Sequence, residues 1–305
     1  VAVDAFRILH QDRHLIVVDK APGVLSAPVF NRGEGRSPER REHVPELLRK
    51  AARRQGRDLD FIGLVHRLDA DTSGCLCFAL TRQAQQLLQR QFAGTAAGRI
   101  YRCLVHGQPR QDAGTISGVM RRGGDGRRML AADGAGKEAE TRYRVLRRGA
   151  HGAELEVELG TGRTHQIRVA LKAIGCAVYG DNVYARTTGA RAPRMMLHAH
   201  RLELDHPSDG RRLVIEAPLP AEYTTFAEAM FAAPPAPAEP RRAARRAPAP
   251  TASGAAAQCP VACPGARLSK RVSGLRNIRR MSPVGPLRCL PMMISAVPLS
   301  WLSGL

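Results

Sequence analysis

Short apolar runs with strand-like patterning follow one another along most of this chain, and the connections between them are often too short to hold a helix. The opening "FRILHQDRHLIVVDKAPG" reads as two strands joined through "QDRH" and closed by a Pro-Gly turn after Lys20. "CLCFAL" (75–80), "IYRCLVHG" (100–107), "ETRYRVLRRG" (140–149), "AELEVELG" (153–160), "MMLHAHRLEL" and "RLVIEAPLP" supply further strands. Helical spacing marks "PELLRKAARRQ" (45–55), "RQAQQLLQRQFAG" after Thr81, "THQIRVALKAIG" (164–175) and "AEYTTFAEAM". Thr81 is the expected N-cap of the second helix, with Leu87, Leu88 and Phe92 as its buried stripe. Thr164 and Gly175 are the expected caps of the third. Strands that outnumber helices and succeed one another directly imply an α+β fold with a mostly antiparallel sheet, not repeated βαβ units. The polar stretch "NRGEGRSPERRE" (31–42) is expected to be a mobile surface loop.

Charge narrows the partners. The chain holds 47 Lys and Arg against 27 Asp and Glu, a formal net charge of +20. Eleven of the basic residues and none of the acidic ones lie beyond Pro240, which leaves 36 against 27 before it. The folded part is therefore still basic, as suits a polyanionic partner, although charge alone does not separate RNA, DNA and membrane surface. From about Ala233 the Pro/Ala/Arg-rich composition cannot bury enough apolar surface to fold. A folded domain over 1–235 and a disordered basic tail over 236–305 are expected. Seven cysteines without a CxxC pair suggest reduced thiols and neither a disulfide scaffold nor a structural zinc site. No secretory h-region or bilayer-length apolar run is present, so the expected location is the cytoplasm.

Two clusters stand out for chemistry. "HRLDADTSG" (66–74) sets an imidazole, a guanidinium and two carboxylates between the apolar "FIGLV" and "CLCFAL". A loop between two buried segments is held rigidly, as a reactive group must be. A carboxylate beside Arg67 favours its ionised form, and either Asp69 or Asp71 could serve. "TSG" adds hydroxyls and a flexible position where the chain re-enters the sheet. In "GTGRTHQIRVALK", the Gly-x-Gly-Arg-Thr loop at a helix start could bind phosphate through its amides, but it lacks the Lys-Ser or Lys-Thr of a nucleotide loop. His165, Arg168 and Lys172 would share one helix face, either solvated or turned into an anionic cleft. Tyr101 could be an ordinary core tyrosine. "HAH" (198–200) has metal-ligand spacing but no third ligand near it in sequence.

Together these pieces resemble the RluA-type pseudouridine synthases over roughly residues 6–226. "ILHQDRHLIVVDKAPG" is similar to the family's N-terminal block, "HRLDADTSG" to its signature HRLDxxTSG, "GRTHQIRV" to its third block, and "LHAHRLELDHP" with "EAPLP" to its closing segments. The resemblance implies a mixed, mostly antiparallel sheet with flanking helices and a central basic cleft. It implies that Asp69 is the catalytic residue, that Tyr101 stacks on the uracil, and that Arg168 ion-pairs with the catalytic carboxylate. It implies that Arg67 displaces the target nucleotide and holds its phosphate, with His66, Arg163, His165 and Lys172 as further RNA contacts. The expected substrate is ribosomal or transfer RNA, handled by a monomer with no metal, cofactor or nucleotide. Arg99 stands where the family usually has Lys, Ala170 where it has His, and Ala21 where it has Pro. Two alternatives compete: an RNA-binding protein without catalysis, and a hydrolase in which Asp71 activates water beside Asp69.

Overall fold

The computed structural model describes residues 5–28, 42–124, 127–132, 134–185 and 191–232. The expected surface loop at 31–42, except its last residue, and the expected tail at 236–305 lie outside the described residues. Along the chain come β1 (Phe6–Gln11), β2 (Leu15–Lys20), α1 (Val44–Arg54), β3 (Gly63–Leu64), β4 (Ser73–Ala79), α2 (Arg82–Ala93) and β5 (Gly98–His106). There follow β6 (Ala113–Arg122), β7 (Arg128–Ala131), β8 (Lys137–Arg148), β9 (Gly152–Leu159), α3 (Gln166–Ala173), β10 (Leu197–Asp205), β11 (Arg212–Glu216) and α4 (Ala221–Ala232). The strands form one sheet in the order β1-β2-β4-β10-β5-β9-β8-β6-β7, with β11 beside β10 and β3 beside β4. Every pairing is antiparallel except β4 with β10. The fold is α+β.

Strand alternation divides the core between the two faces of the sheet. Ile16, Val18, Leu76, Phe78 and Tyr101 pack with Leu48 of α1 and Ile167 and Leu171 of α3. Leu15, Val17, Cys75 and Cys77 pack with Ala84, Leu88 and Phe92 of α2 on the other face. Strand β4 is buried along its whole length because helices cover both of its faces. Thr81 does cap α2, its hydroxyl accepting from the Ala84 amide at 3.1 Å, but Ala84 rather than Leu87 completes the buried stripe.

The sheet is wider than its apolar runs suggest, because β6 buries only three of its ten residues and β7 none of its four. Their sequences expose many positions near the sheet edge, so the alternation that marks a half-buried strand is weak there. Helix α3 also begins differently from expectation. His165, in left-handed backbone at φ 60°, is its N-cap, and Thr164 does not cap it. The Gln166 carboxamide does the ordering instead: its oxygen accepts from the Arg163 amide (2.9 Å) and the Thr161 hydroxyl (2.8 Å). At the other end Ile174 is the C-cap and Gly175, at φ 79°, follows it; the amides of Gly175 and Cys176 close back on Lys172 and Leu171.

The chain enters β4 through Gly74, which sits opposite Ala199 in the parallel pairing with β10. Its φ is +108°, and a Cβ there would lie 2.3 Å from the Ala199 carbonyl oxygen. The position expected to be flexible is thus a fixed close approach of two backbones. Beside it, Ser73 Oγ and His198 Nδ1 are 2.9 Å apart, and the Ala217 carbonyl lies 3.2 Å from His198 Nε2 and 2.9 Å from His200 Nδ1. Burial pushes His198 down to about 4, so it is neutral. The "HAH" pair therefore knits β10 to the segment after β11, and no cluster of three metal-ligating side chains occurs among the described residues. Gly74→Ala is expected to cost about 3 kcal/mol in urea denaturation, because both its backbone conformation and its space exclude a methyl group. A loss below about 1 kcal/mol would show that β4 and β10 separate freely.

Candidate active site

The loop between β3 and β4 is tied down from four directions. Ser26 Oγ donates to the Leu68 carbonyl (2.7 Å) and accepts from the Leu68 amide (3.0 Å). Lys20, fully buried, donates to the carbonyls of Ala21 (2.8 Å), Val24 (2.8 Å) and Ala70 (2.7 Å). The Gly23 amide donates to Ala70 as well (2.9 Å). Burial pulls the Lys20 pKa down, opposed by the charges of Asp71 and Asp69. The Pro-Gly turn near the N-terminus is thus a clamp on "HRLDAD". His66 anchors the loop's start: its Nε2 accepts from the Cys77 amide (2.9 Å) and its ring stacks on Phe92 at 4.3 Å.

His66 is tied to the fold by these contacts, yet it still lines the cleft described below. Burial, aided by the charge of Arg99, pushes it down to about 3, so it is neutral. Arg67 behaves oppositely. It is exposed and makes no hydrogen bond or ion pair among the described residues.

Asp69 points from this loop toward α3. Its Oδ2 accepts from Arg168 Nη1 at 2.9 Å and lies 3.9 Å from His165 Nε2. Its Oδ1 has no hydrogen-bond partner among the described residues. The same arginine donates through Nε and Nη2 to Asp181, at 2.7 and 2.8 Å. The Asp181 side chain is 0% exposed and that of Arg168 is 7% exposed, against 23% for Asp69. Asp181 also accepts from the amides of Val183 (2.9 Å) and Tyr184 (3.0 Å). Burial alone would raise the Asp181 carboxyl, but the hydrogen bonds and charge of Arg168 hold it below its ordinary value. Desolvation would lower Arg168, and its two carboxylates more than reverse this. Tyr184 lies 5.0 Å beneath the guanidinium, and its hydroxyl is 2.9 Å from His165 Nδ1.

Asp69 and Arg168 line a cleft of about 540 Å³ together with Arg67, Arg99, Tyr101, Arg163 and His165. Asp69 is the only carboxylate among its lining residues. Burial pushes the Tyr101 phenol up to about 12, with Arg99 opposing, so it stays protonated near neutral pH. Arg163 donates to the Glu138 carbonyl (3.0 Å) and keeps an exposed side chain at the cleft rim. Lys172 is exposed and sits 5.6 Å over Tyr184; it does not line the cleft. Asp71 lines a separate cavity of about 500 Å³ with Pro22, His106 and Arg194. The two carboxylates of the loop therefore face different spaces.

Asp181, Lys20 and Ser26 are the functional positions that sequence reading missed. "YGDNVY" carries only a turn signal at Asp181, and a fully buried lysine has no local signature.

The RNA pseudouridylate synthase family profile matches residues 14–173, more than half of the chain. "Ribosomal large subunit pseudouridine synthase D" of Nitrosomonas europaea is 37% identical over 233 residues, covering 73% of this chain and 65% of that protein. The chain thus spans just under two thirds of that relative's length. "Dual-specificity RNA pseudouridine synthase RluA" of Escherichia coli is 35% identical over 214 residues, covering 69% of this chain and 92% of that protein. Among solved structures, "Human RNA Pseudouridylate Synthase Domain Containing 1" aligns with TM-score 0.58 and 27% identity, covering 76% of this chain and 89% of that one.

Asp181 ionises more readily in the folded chain than in the unfolded one. Its contribution is therefore complete above the ordinary carboxylate value of 3.8 and fades as pH falls through the lower folded value. Asp181→Asn is expected to lower stability by about 3 kcal/mol at neutral pH, as removal of one partner of a buried pair does. In urea melts repeated at falling pH the gap from wild type should narrow below about pH 4. A gap that stays constant to the acid limit would show that Asp181 is not ionised in the folded protein.

Proposed function

The chain belongs to the RNA pseudouridylate synthase family, and from that premise we propose that it converts uridine to pseudouridine in structured ribosomal or transfer RNA, with Asp69 as the catalytic residue. The observation that carries this reading is the state of the Asp69 carboxylate. One oxygen is fixed by Arg168 and the other is open, in a cleft otherwise lined by basic and neutral groups. The name of the Nitrosomonas relative points to the large ribosomal subunit. The enzyme is proposed to act as a cytoplasmic monomer without metal or nucleotide cofactor.

The reaction breaks the N1–C1′ bond of uridine, turns the uracil and rejoins it through C5, with C5 losing a proton and N1 gaining one. It is an isomerisation, so no oxidant or external group enters. The uridine must leave its stack, at a cost of about a few kcal/mol. Arg67, exposed and unpaired among the described residues, suits the task of displacing it and holding phosphate. Tyr101 would stack on the extruded base; its protonated hydroxyl can donate a hydrogen bond. Arg163 and His165 would contact the RNA at the rim. Arg168 holds one oxygen of Asp69 with a charge that it shares with Asp181.

The competing hydrolase reading needs a second carboxylate to activate water. Asp71, its candidate, lines the other cavity, so the geometry favours isomerisation. The chain's catalytic unit is proposed to span residues 1–235, with 236–305 adding only salt-sensitive affinity. Truncation after Pro235 should leave the melting temperature unchanged, and a truncated chain that does not fold would refute that division.

The direct experiment incubates the protein with cellular RNA lacking the modification and maps new pseudouridines by chemical tagging and reverse-transcription stops. Wild type should create discrete sites and Asp69→Asn none. Equal numbers from both, or none from wild type, would refute the assignment.

A further inference from the structure

Arg99, on the same face of β5 as Tyr101, is only 6% exposed. Its one hydrogen bond among the described residues runs from Nη2 to the Leu159 carbonyl, at a long 3.3 Å. Its buried Nε has no partner, and it forms no ion pair among the described residues. Burial depresses its pKa, and the group that opposes this is Tyr101, a phenol that is itself uncharged. A guanidinium taken out of water with no opposite charge is costly, and proteins normally pair such groups. Arg99 lines the cleft, and its Nη1 makes no hydrogen bond among the described residues.

The turn that follows the neighbouring strand β9 comes close to it. Gly162 approaches so closely that a Cβ there would lie 2.6 Å from Arg99 Nη1. The amides of Gly162 and Thr164, just before α3, make no hydrogen bond among the described residues. A largely buried guanidinium with its Nη1 unbonded, beside unpaired amides just before a helix N-terminus, suits a phosphate oxygen in charge. A uracil carbonyl would satisfy a donor but leave the cation uncompensated. We propose that Arg99, with the Gly162–Thr164 turn, binds a backbone phosphate of the RNA, which supplies the counter-charge the protein lacks. This deepens the proposed function and rests on it only for the identity of the polyanion.

The test measures binding of a fluorescein-labelled ten-residue oligouridylate by anisotropy across a salt series. Isomerisation of its uridines leaves phosphate charge unchanged, so turnover does not disturb the reading. Arg99→Gln should weaken binding about tenfold at 0.1 M salt, the scale of one charge-assisted contact. It should also flatten the slope of log affinity against log salt by about 0.7, the value for one phosphate on a single strand. Arg99→Lys, which keeps the charge, should retain most of the wild-type slope. Free Arg99→Gln should melt no lower than wild type, since it loses an uncompensated charge. Weakened binding with an unchanged slope would mean that Arg99 reads a base carbonyl, and would overturn the proposal. So would unchanged binding, or a free variant that melts far below wild type. Failure of the pseudouridine assay alone would leave this result standing, because binding is read without turnover.

Discussion

Everything about the cleft depends on one guanidinium shared between two carboxylates. Arg168 is fixed by a two-point contact with a fully buried Asp181 and extends its remaining donor to Asp69. Three segments meet at this group: helix α3, the turn 13 residues after Arg168, and the loop before β4, 99 residues before it. Lysine could not replace it, because three directed bonds from one plane require the rigid fork of arginine. The value of such a pair is positional more than energetic. Desolvating both charges offsets much of their attraction, yet removing one partner leaves the other stranded. Asp69 differs from Asp181 in being part-exposed with one oxygen unbonded, which separates the group that holds from the group that is offered.

The sheet puts this assembly where it is needed. Parallel β4 and β10 meet closely at Gly74 and set the exit of the loop carrying Asp69. β5, on the far side of β10, brings Tyr101 and Arg99 to the same cleft. The Lys20 and Ser26 clamp fixes the loop from below, through carbonyls whose positions a three-proton ammonium can satisfy together. The result is a basic cavity holding a single carboxylate, an arrangement suited to a polyanion and leaving one carboxylate oxygen open to it.

Much of this was legible in the sequence, and the limits have physical causes. Strands and helices with clear alternation or clean caps, such as β4 and α2, follow from local pattern. The pairing of Asp69 with Arg168, 99 residues apart, came from resemblance to a family, because no periodicity links them. Asp181 was invisible because a bidentate partner in a Gly-Asp-Asn turn looks like any turn residue. Lys20 ends strand β2 as the pattern implies, but nothing local reveals that three carbonyls will converge on it. The resemblance implies His66 as an RNA contact, but the sequence does not show what its ring touches. Its ring bonds an amide and stacks on Phe92, partners set by tertiary packing, while lining the cleft. Thr164 failed as a cap because the side chain of Gln166 had already ordered that turn.

The central claim is that Arg168 aims Asp69 and does not merely neutralise it. Arg168→Lys tests this most directly, since it keeps the charge and removes the fork. The measurement is the single-turnover release of tritium from RNA labelled at C5 of uridine, alongside equilibrium binding of the same RNA. The account predicts a rate about a hundredfold slower, the scale of a misplaced reactive group, with affinity within about threefold of wild type because the charge remains. A rate equal to wild type at equal affinity would contradict it.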